Sequence, residues 1–343
     1  MNFDACLRAH LASHPLAAPR DILKFCYQAA RGAEHLLTDT DAARRYFFAE
    51  WERTEARDVP LCEPLSPRFC RVDLGAWKAR GLDAEWLFRA FFATASTPAA
   101  ENPELYLAVA DEVIAGASFS REAWETACRE FRNAGMPAVH HSETFRAAYD
   151  PAYRLVDGRI ARLFPILEAV ASKKATPLVI AVDGRAASGK STLARHLSTF
   201  FDTATVHMDD FFLPPALRTP ARMAETGGNV DYERFAREVL PHLRDTAPFS
   251  YGVFDCSVME ITGTRRVDAT PVRVVEGSYS HHPAFGDYAD IKVFSHVDAE
   301  EQMTRITARN GEAMATRFRD EWIPREEAYF SAFRIRESAH VVV

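Results

Sequence analysis

The sequence predicts an α/β protein, a parallel-sheet domain preceded by a mostly α-helical N-terminal domain. Three observations carry this. Short β-branched runs without alternation (PLVIAVD, VRVVEG, IKVFSHV and the closing HVVV) have the texture of strands covered on both faces. Helical stretches separate them (STLARHLSTF, DYERFAREVLPHL, AEEQMTRITARN and REEAYFSAF), and such alternation builds parallel, right-handed sheets. Before residue 172 the texture differs, and apolar stripes at three- and four-residue steps dominate.

The first half opens with DILKFCYQAARGAEHLL. Its Ile22, Phe25, Cys26, Ala29, Ala33, Leu36 and Leu37 recur at helical steps and make one buried stripe. Gln28 and His35 share a face two turns apart and could line a site, although a helical histidine is more often structural or solvated. LCEPLSPRFCRVDLGAW is broken by prolines and reads as loop or a short strand. DAEWLFRAFFATA and SREAWETACREF return to helix, with Ser120 placed as an N-cap. The stretch 140–159 gathers His140, His141, Arg146, Tyr149, Tyr153 and Arg154, and suits a domain contact or a share of an acceptor pocket. ASKKATP (171–177) is small, polar and closed by proline, which suits a linker between domains 1–170 and 178–343.

Composition bounds the answer. A length of 343 residues suggests two domains, and 48% apolar with 26% charged residues is ordinary for a soluble core-forming chain. No window reaches the roughly 18 unbroken apolar residues of a membrane span. The opening MNFDACLRAH lacks the layout of a signal peptide. Six cysteines at scattered spacings, without a CxxC pair, suggest reduced thiols and a cytoplasmic setting. A net charge of −7 argues against general nucleic-acid binding. Homo-oligomerisation is left open.

Between the strand VIAVD and the helix STLARHL stand Gly184, Arg185, Ala186, Ala187, Ser188, Gly189, Lys190, Ser191 and Thr192. They fit G-x-x-x-x-G-K-S/T in its proper context. Glycines let the backbone curl so that successive N–H groups face phosphate oxygens, and the helix start adds partial positive charge. Only six of the 41 basic residues are lysines, so a lysine framed by glycines is informative. Lys190 would meet the β- and γ-phosphates of a nucleoside triphosphate, and Ser191 would ligate Mg²⁺.

What happens to the triphosphate depends on the rest. No N-K-x-D reads a guanine base, and VRVVEG ends in Glu276 and glycine rather than Asp-Glu. In TATVHMDDFFLPP (203–215) an apolar strand ends at His207–Met208, and Asp209 and Asp210 follow at its carboxyl end, where open α/β sheets hold ligands. Asp209 would be a base for an acceptor hydroxyl, and Phe211 and Phe212 would meet a planar ring.

In this order GRAASGKST, HMDDFF, NVDYERF, VVEGSY and RITARNG resemble the uridine kinase/phosphoribulokinase branch of P-loop kinases, over residues 176–343. The resemblance implies a P-loop kinase domain using ATP and Mg²⁺ on a small-molecule hydroxyl acceptor of nucleoside-like kind. It implies Asp209 as the catalytic aspartate, also near the metal, and Glu276 as the acid that helps hold Mg²⁺. Asp231 matches the acid gripping a sugar diol, although it could merely cap the helix DYERFAREVL. Arg305 and Arg309 match arginines leading into a lid, with Arg317 and Arg319 as further candidates.

One stretch departs from the family. Where uridine–cytidine kinases read the pyrimidine with tyrosine and histidine, SYGVFDCSVMEITG offers Phe254, Asp255 and Cys256, then Met259. Tyr251 and Asp255 are the candidates here for meeting the acceptor. Beside the kinase reading stands another class, a nucleotide-sensing interaction protein with the helical half as effector module. That reading has no use for Asp209.

Overall fold

The computed structural model describes residues 2–33, 39–97, 99 and 101–343. The chain forms two compact units, Met1–Arg162 and Leu163–Val343. The boundary precedes the ASKKATP stretch because the helix Phe164–Ala171 packs with the second unit, against its sheet.

In the first unit helices surround a small antiparallel sheet of β1 (Cys62–Pro64), β2 (Phe69–Asp73) and β3 (Tyr153–Asp157), in the order β1-β2-β3. β1 and β2 fall in LCEPLSPRFCRVDLGAW, read as loop or a short strand, and helices still make up most of the unit. FCRVD pairs along its whole length with YRLVD, more than 80 residues later in the sequence, and is buried for four of its five residues. A partner so distant leaves no local signal. The expected helices form as Pro19–Arg31, Ala84–Ala95 and Arg121–Asn133. Ile22, Phe25, Cys26 and Ala29 are all buried. The helix Pro19–Arg31 stops at Gly32, whose φ of +60° a side chain resists, and whose Cβ would fall 2.9 Å from Phe69. Ser120 is the cap expected of it, its Oγ accepting from Ala123 N–H at 3.2 Å. His35, Leu36 and Leu37 lie outside the described residues. His140, His141 and Arg146 precede or lie in a short helix, and Tyr153 and Arg154 are in β3.

The second unit holds a parallel sheet of β4 (Leu178–Gly184), β5 (Thr203–His207), β8 (Val272–Glu276), β9 (Ile291–Ser295) and β10 (Val341–Val342). An antiparallel hairpin of β6 (Phe249–Asp255) and β7 (Glu260–Val267) stands apart from that sheet. The sheet order is β10-β9-β4-β8-β5, every neighbouring pair parallel. β4 is central and all seven of its residues are buried, which is what its unbroken apolar run requires. Because the strands are parallel, their carboxyl ends share one edge. Glu276 pairs with Val182 on one side and with His207 on the other. The chain therefore leaves β4, β5 and β8 at the same edge, where the three outgoing loops must converge.

Candidate functional site

The loop after β4 is shaped by two glycines with different duties. Gly184 has φ +138°, and a Cβ there would fall 2.1 Å from Ser295 O of β9. Only glycine lets the loop leave the sheet so close to its neighbour. Gly189 has φ +95° with open space where its Cβ would be. It heads the helix Lys190–Leu197, which has no side-chain cap, so the first-turn N–H groups are left for another acceptor. Ser188 Oγ, within the loop, is buried and has no partner among the described residues. An open glycine face, uncapped donors and an orphaned hydroxyl fit a phosphate chain.

Lys190 folds back on the loop, its Nζ donating to Gly184 O at 2.8 Å, Arg185 O at 2.9 Å and Ser278 Oγ at 3.2 Å. Ser191 Oγ donates to both oxygens of Glu276, at 3.0 and 3.2 Å. His207 Nδ1 donates to Glu276 Oε1 at 2.6 Å. A hydroxyl and a buried carboxylate in contact are an oxygen donor set of the kind Mg²⁺ takes.

Asp209 and Asp210 lie in the 3₁₀ turn Met208–Phe211 at the end of β5. The fold separates their roles. Asp210 is buried, and its Oδ2 takes the Tyr251 hydroxyl at 2.9 Å and Arg265 Nε at 3.1 Å. Among the described residues no hydrogen bond holds the Asp209 carboxyl. Crowding by the surrounding protein raises its pKa above the ordinary carboxylate value, and Glu276 and Asp210 add to the rise. Lys190 and His207 oppose it. Asp209 is itself exposed, which limits the shift. Its field contact with both Lys190 and Glu276 puts all three in one neighbourhood.

The other sequence candidates differ widely in their surroundings. Phe212 is half-buried, and its backbone bridges antiparallel to Val230, which brings Asp231 alongside the turn. Asp231 caps the helix Tyr232–Glu238, accepting from Arg234 N–H at 3.0 Å. Tyr251 is in the core rather than on an open wall, its hydroxyl donating to Asp210 and accepting from His207 N–H at 3.2 Å. Asp255 sits at the end of β6, its Oδ1 accepting from Ser257 N–H at 2.8 Å and from Ser257 Oγ at 2.6 Å. Phe254 is buried, and Met259 takes φ +63° at the hairpin turn. Arg305, on the helix Ala299–Asn310, donates from Nη1 to Ala187 O at 3.3 Å. Arg309 instead turns to Asn310 Oδ1 at 2.9 Å. Arg317 pairs with Glu321 at 3.7 Å, and Arg319 lines a shallow groove on the Ala299–Asn310 helix.

Several residues of the site carry no sequence motif. Glu326, on the helix Ile323–Phe333, is buried behind the loop, accepting from Ala186 N–H at 2.9 Å and Ser278 Oγ at 2.6 Å. Burial raises its pKa, against the pull of Lys190. Its neighbour Glu327 faces outward to Arg185 at 2.7 Å, and nothing in REEAYF distinguishes the two. Gln302 Nε2 donates to Ala186 O at 3.1 Å. Asp183, fully buried at the end of β4, accepts from Gly184 N–H, Tyr279 N–H, His281 N–H and the Tyr329 hydroxyl. Its place just before the first glycine is the one signal that could have found it.

Fold and site together describe a parallel-sheet α/β unit with a lysine-bearing loop and two acidic groups at its carboxyl edge. No family model matches the chain, and no curated protein does. Solved structures similar to it include two that carry kinase names. One is a possible uridine kinase from Bacillus stearothermophilus, 20% identical, covering 54% of this chain and 97% of its own, with a TM-score of 0.43. The other, from Silicibacter sp. TM1040, is named provisionally as a fructose transport system kinase, 23% identical, covering 54% of this chain and 98% of its own, with a TM-score of 0.44. No helix among the described residues is long and apolar enough to cross a membrane.

Proposed function

We propose that the second unit is an ATP- and Mg²⁺-dependent kinase that phosphorylates a hydroxyl of a nucleoside-like small molecule in the cytoplasm. The observation that carries this reading is the unheld Asp209 carboxyl under the joint field of Lys190 and Glu276, at the edge where three parallel strands end. A base without a competing partner can take a proton from an acceptor hydroxyl, and its raised pKa suits that task.

The chain's own groups divide the remaining work. Loop N–H groups and Ser188 Oγ would hold the phosphate chain, and Lys190 would exchange its carbonyl partners for phosphate oxygens. Ser191 and Glu276 would hold Mg²⁺, with His207 fixing the carboxylate's orientation. Bound ATP and Mg²⁺ would supply the phosphoryl group and neutralise its charge. Arg305 stands nearest the loop to cover that charge, with Arg309 one turn further out. Phe212 and Asp231 would contact the acceptor. Tyr251 would act indirectly by holding Asp210, so that the turn presents Asp209 outward.

The test is phosphate transfer from ATP to a panel of nucleosides and vitamin-like alcohols. Wild type should transfer to at least one acceptor. Lys190→Ala should lose ATP binding, and Asp209→Asn should bind ATP but transfer about 10²–10⁴-fold more slowly. Wild type that binds ATP and transfers to no acceptor, with Asp209→Asn indistinguishable from it, would favour the nucleotide-sensing alternative.

A further inference from the structure

We infer that the first unit carries a binding site for a single divalent transition-metal ion of the Zn²⁺ class, built from His10, His14 and Glu63. His10 lies on the helix Phe3–Ser13, and His14 comes at its C-cap, four residues on and therefore above the same face. Glu63 comes from β1. One donor atom from each of the three lies within 4.8 Å of the others.

The carboxylate is aimed. Arg71 Nη1 occupies Glu63 Oε2 at 3.1 Å, which turns Oε1 toward the two imidazoles. Oε1 is 2.5 Å from His10 Nδ1 and 3.9 Å from His14 Nδ1, which now donates to His10 O at 3.0 Å and would shift its proton to Nε2 on taking an ion. Donors around a tetrahedral Zn²⁺ stand about 3.3 Å apart, given bonds of about 2.0–2.1 Å, so the two distances straddle what an ion needs. Arg71 is itself held by Gln28 Oε1, at 3.0 Å from Nε and 2.8 Å from Nη2, so this orientation is built in rather than incidental.

The surroundings suit a metal better than a simple ion pair. His10 is fully buried, and among the described residues its Nε2 has no partner. Phe25 lies tilted against His10 and Phe145 stacks on His14, at centroid distances of 4.6 and 5.2 Å, and they close the site on one side. His14 and Glu63 remain partly open, at 23% and 30% exposure. A cavity of about 140 Å³ lies beside His14, lined also by Leu11, Pro15, Ala17, Ala117 and Ser118, with room for solvent to complete the coordination. Two imidazoles and one carboxylate with an open position favour Zn²⁺, Co²⁺ or Ni²⁺ over Mg²⁺ or Ca²⁺, which prefer oxygen alone. On capture the ion takes the place of the proton shared by His10 and Glu63, and that proton leaves to solvent. The guanidinium of Arg71 weakens the attraction for a cation and is the chief force against the site.

The test uses the full chain stripped with a chelator, then titrated with Co²⁺ and Zn²⁺. Wild type should retain about one equivalent of Zn²⁺ through gel filtration and develop the visible absorbance of low-coordinate Co²⁺, displaced by Zn²⁺ and not by excess Mg²⁺. His14→Gln, a change at a partly exposed position, should weaken Zn²⁺ binding at least tenfold, and Glu63→Gln should do the same if it folds by circular dichroism. His242→Gln, at a half-buried histidine of the second unit, should bind as wild type does. Sub-stoichiometric Zn²⁺ on wild type, or His14→Gln binding as tightly as wild type, overturns the inference whatever Glu63→Gln does.

Discussion

Gly184 and Gly189 frame the same loop, yet they should respond differently to a methyl group. At Gly184 the added Cβ meets the Ser295 carbonyl of an adjacent strand at 2.1 Å, and neither backbone can yield without breaking the β4–β9 pairing. At Gly189 nothing lies within 4 Å, so alanine faces only the unfavourable φ of +95°. Gly184→Ala should therefore cost at least about 3 kcal/mol of stability, and Gly189→Ala only about 1–2 kcal/mol. Chemical denaturation of both variants checks this, and equal losses would mean the clash is relieved elsewhere. The same scale separates Asp209 from Asp210. Adjacent and chemically identical, they differ because the turn points one at Tyr251 and Arg265 and leaves the other unheld. The motif foretold the pair, and its matched position singled out Asp209. The difference in their surroundings is visible only in the packing.

At the scale of elements, the β6–β7 hairpin is a brace for the turn rather than a bystander. Tyr251 from β6 and Arg265 from β7 pair across the hairpin and both reach Asp210. Arg234, on the helix Tyr232–Glu238, donates to Gly252 O at 2.7 Å and to Asp210 O, with its guanidinium 4.2 Å over Phe211. Tyr251→Phe removes the donor to Asp210 and the acceptor of His207 N–H. It should cost about 1–2 kcal/mol, measured by thermal or denaturant unfolding, and should slow phosphate transfer far less than Asp209→Asn. A loss of transfer as deep as that of Asp209→Asn would mean that Tyr251 touches the acceptor after all. Helix starts were readable because a capping side chain is local, as at Ser120. The pairing of β2 with β3 was not, since its two strands are far apart in sequence.

At the scale of the whole molecule, acidification should act through a buried histidine of the first unit. His141 donates from Nδ1 to Asp21 at 2.9 Å, and its Nε2 lies 2.8 Å from the Tyr153 hydroxyl, which also reaches Gln28 Oε1 at 3.3 Å. Burial lowers its pKa to about 4, with the Asp21 hydrogen bond opposing. Lys24, Arg71 and Asp21 are the charged groups that act on it. With the folded pKa below the unfolded value, the unfolded chain binds more protons between about pH 6.5 and 4. The stability is present in full above about 6.5 and is lost as pH falls to about 4, by at most about 3 kcal/mol. Asp21, its own pKa lowered to about 2, adds its loss only below that window. Unfolding at pH 7, 5.5 and 4 should show the decline in wild type and a flatter profile in His141→Gln, and parallel profiles would assign the decline to other groups.

The chain order of its runs was enough to foresee parallel strands, helices between them and a glycine-framed lysine, since each rests on a short-range pattern of apolarity or backbone freedom. Where Lys190, Ser191 and Glu276 meet could be guessed, because parallel strands must end at a common edge. The packing chose Glu326 over Glu327, drew Tyr251 inward and set Asp231 to cap its helix. It also joined His10 and His14 to a carboxylate some fifty residues away. Such choices depend on which side chain an element turns toward a neighbour distant in sequence, and no local pattern of residues records that direction.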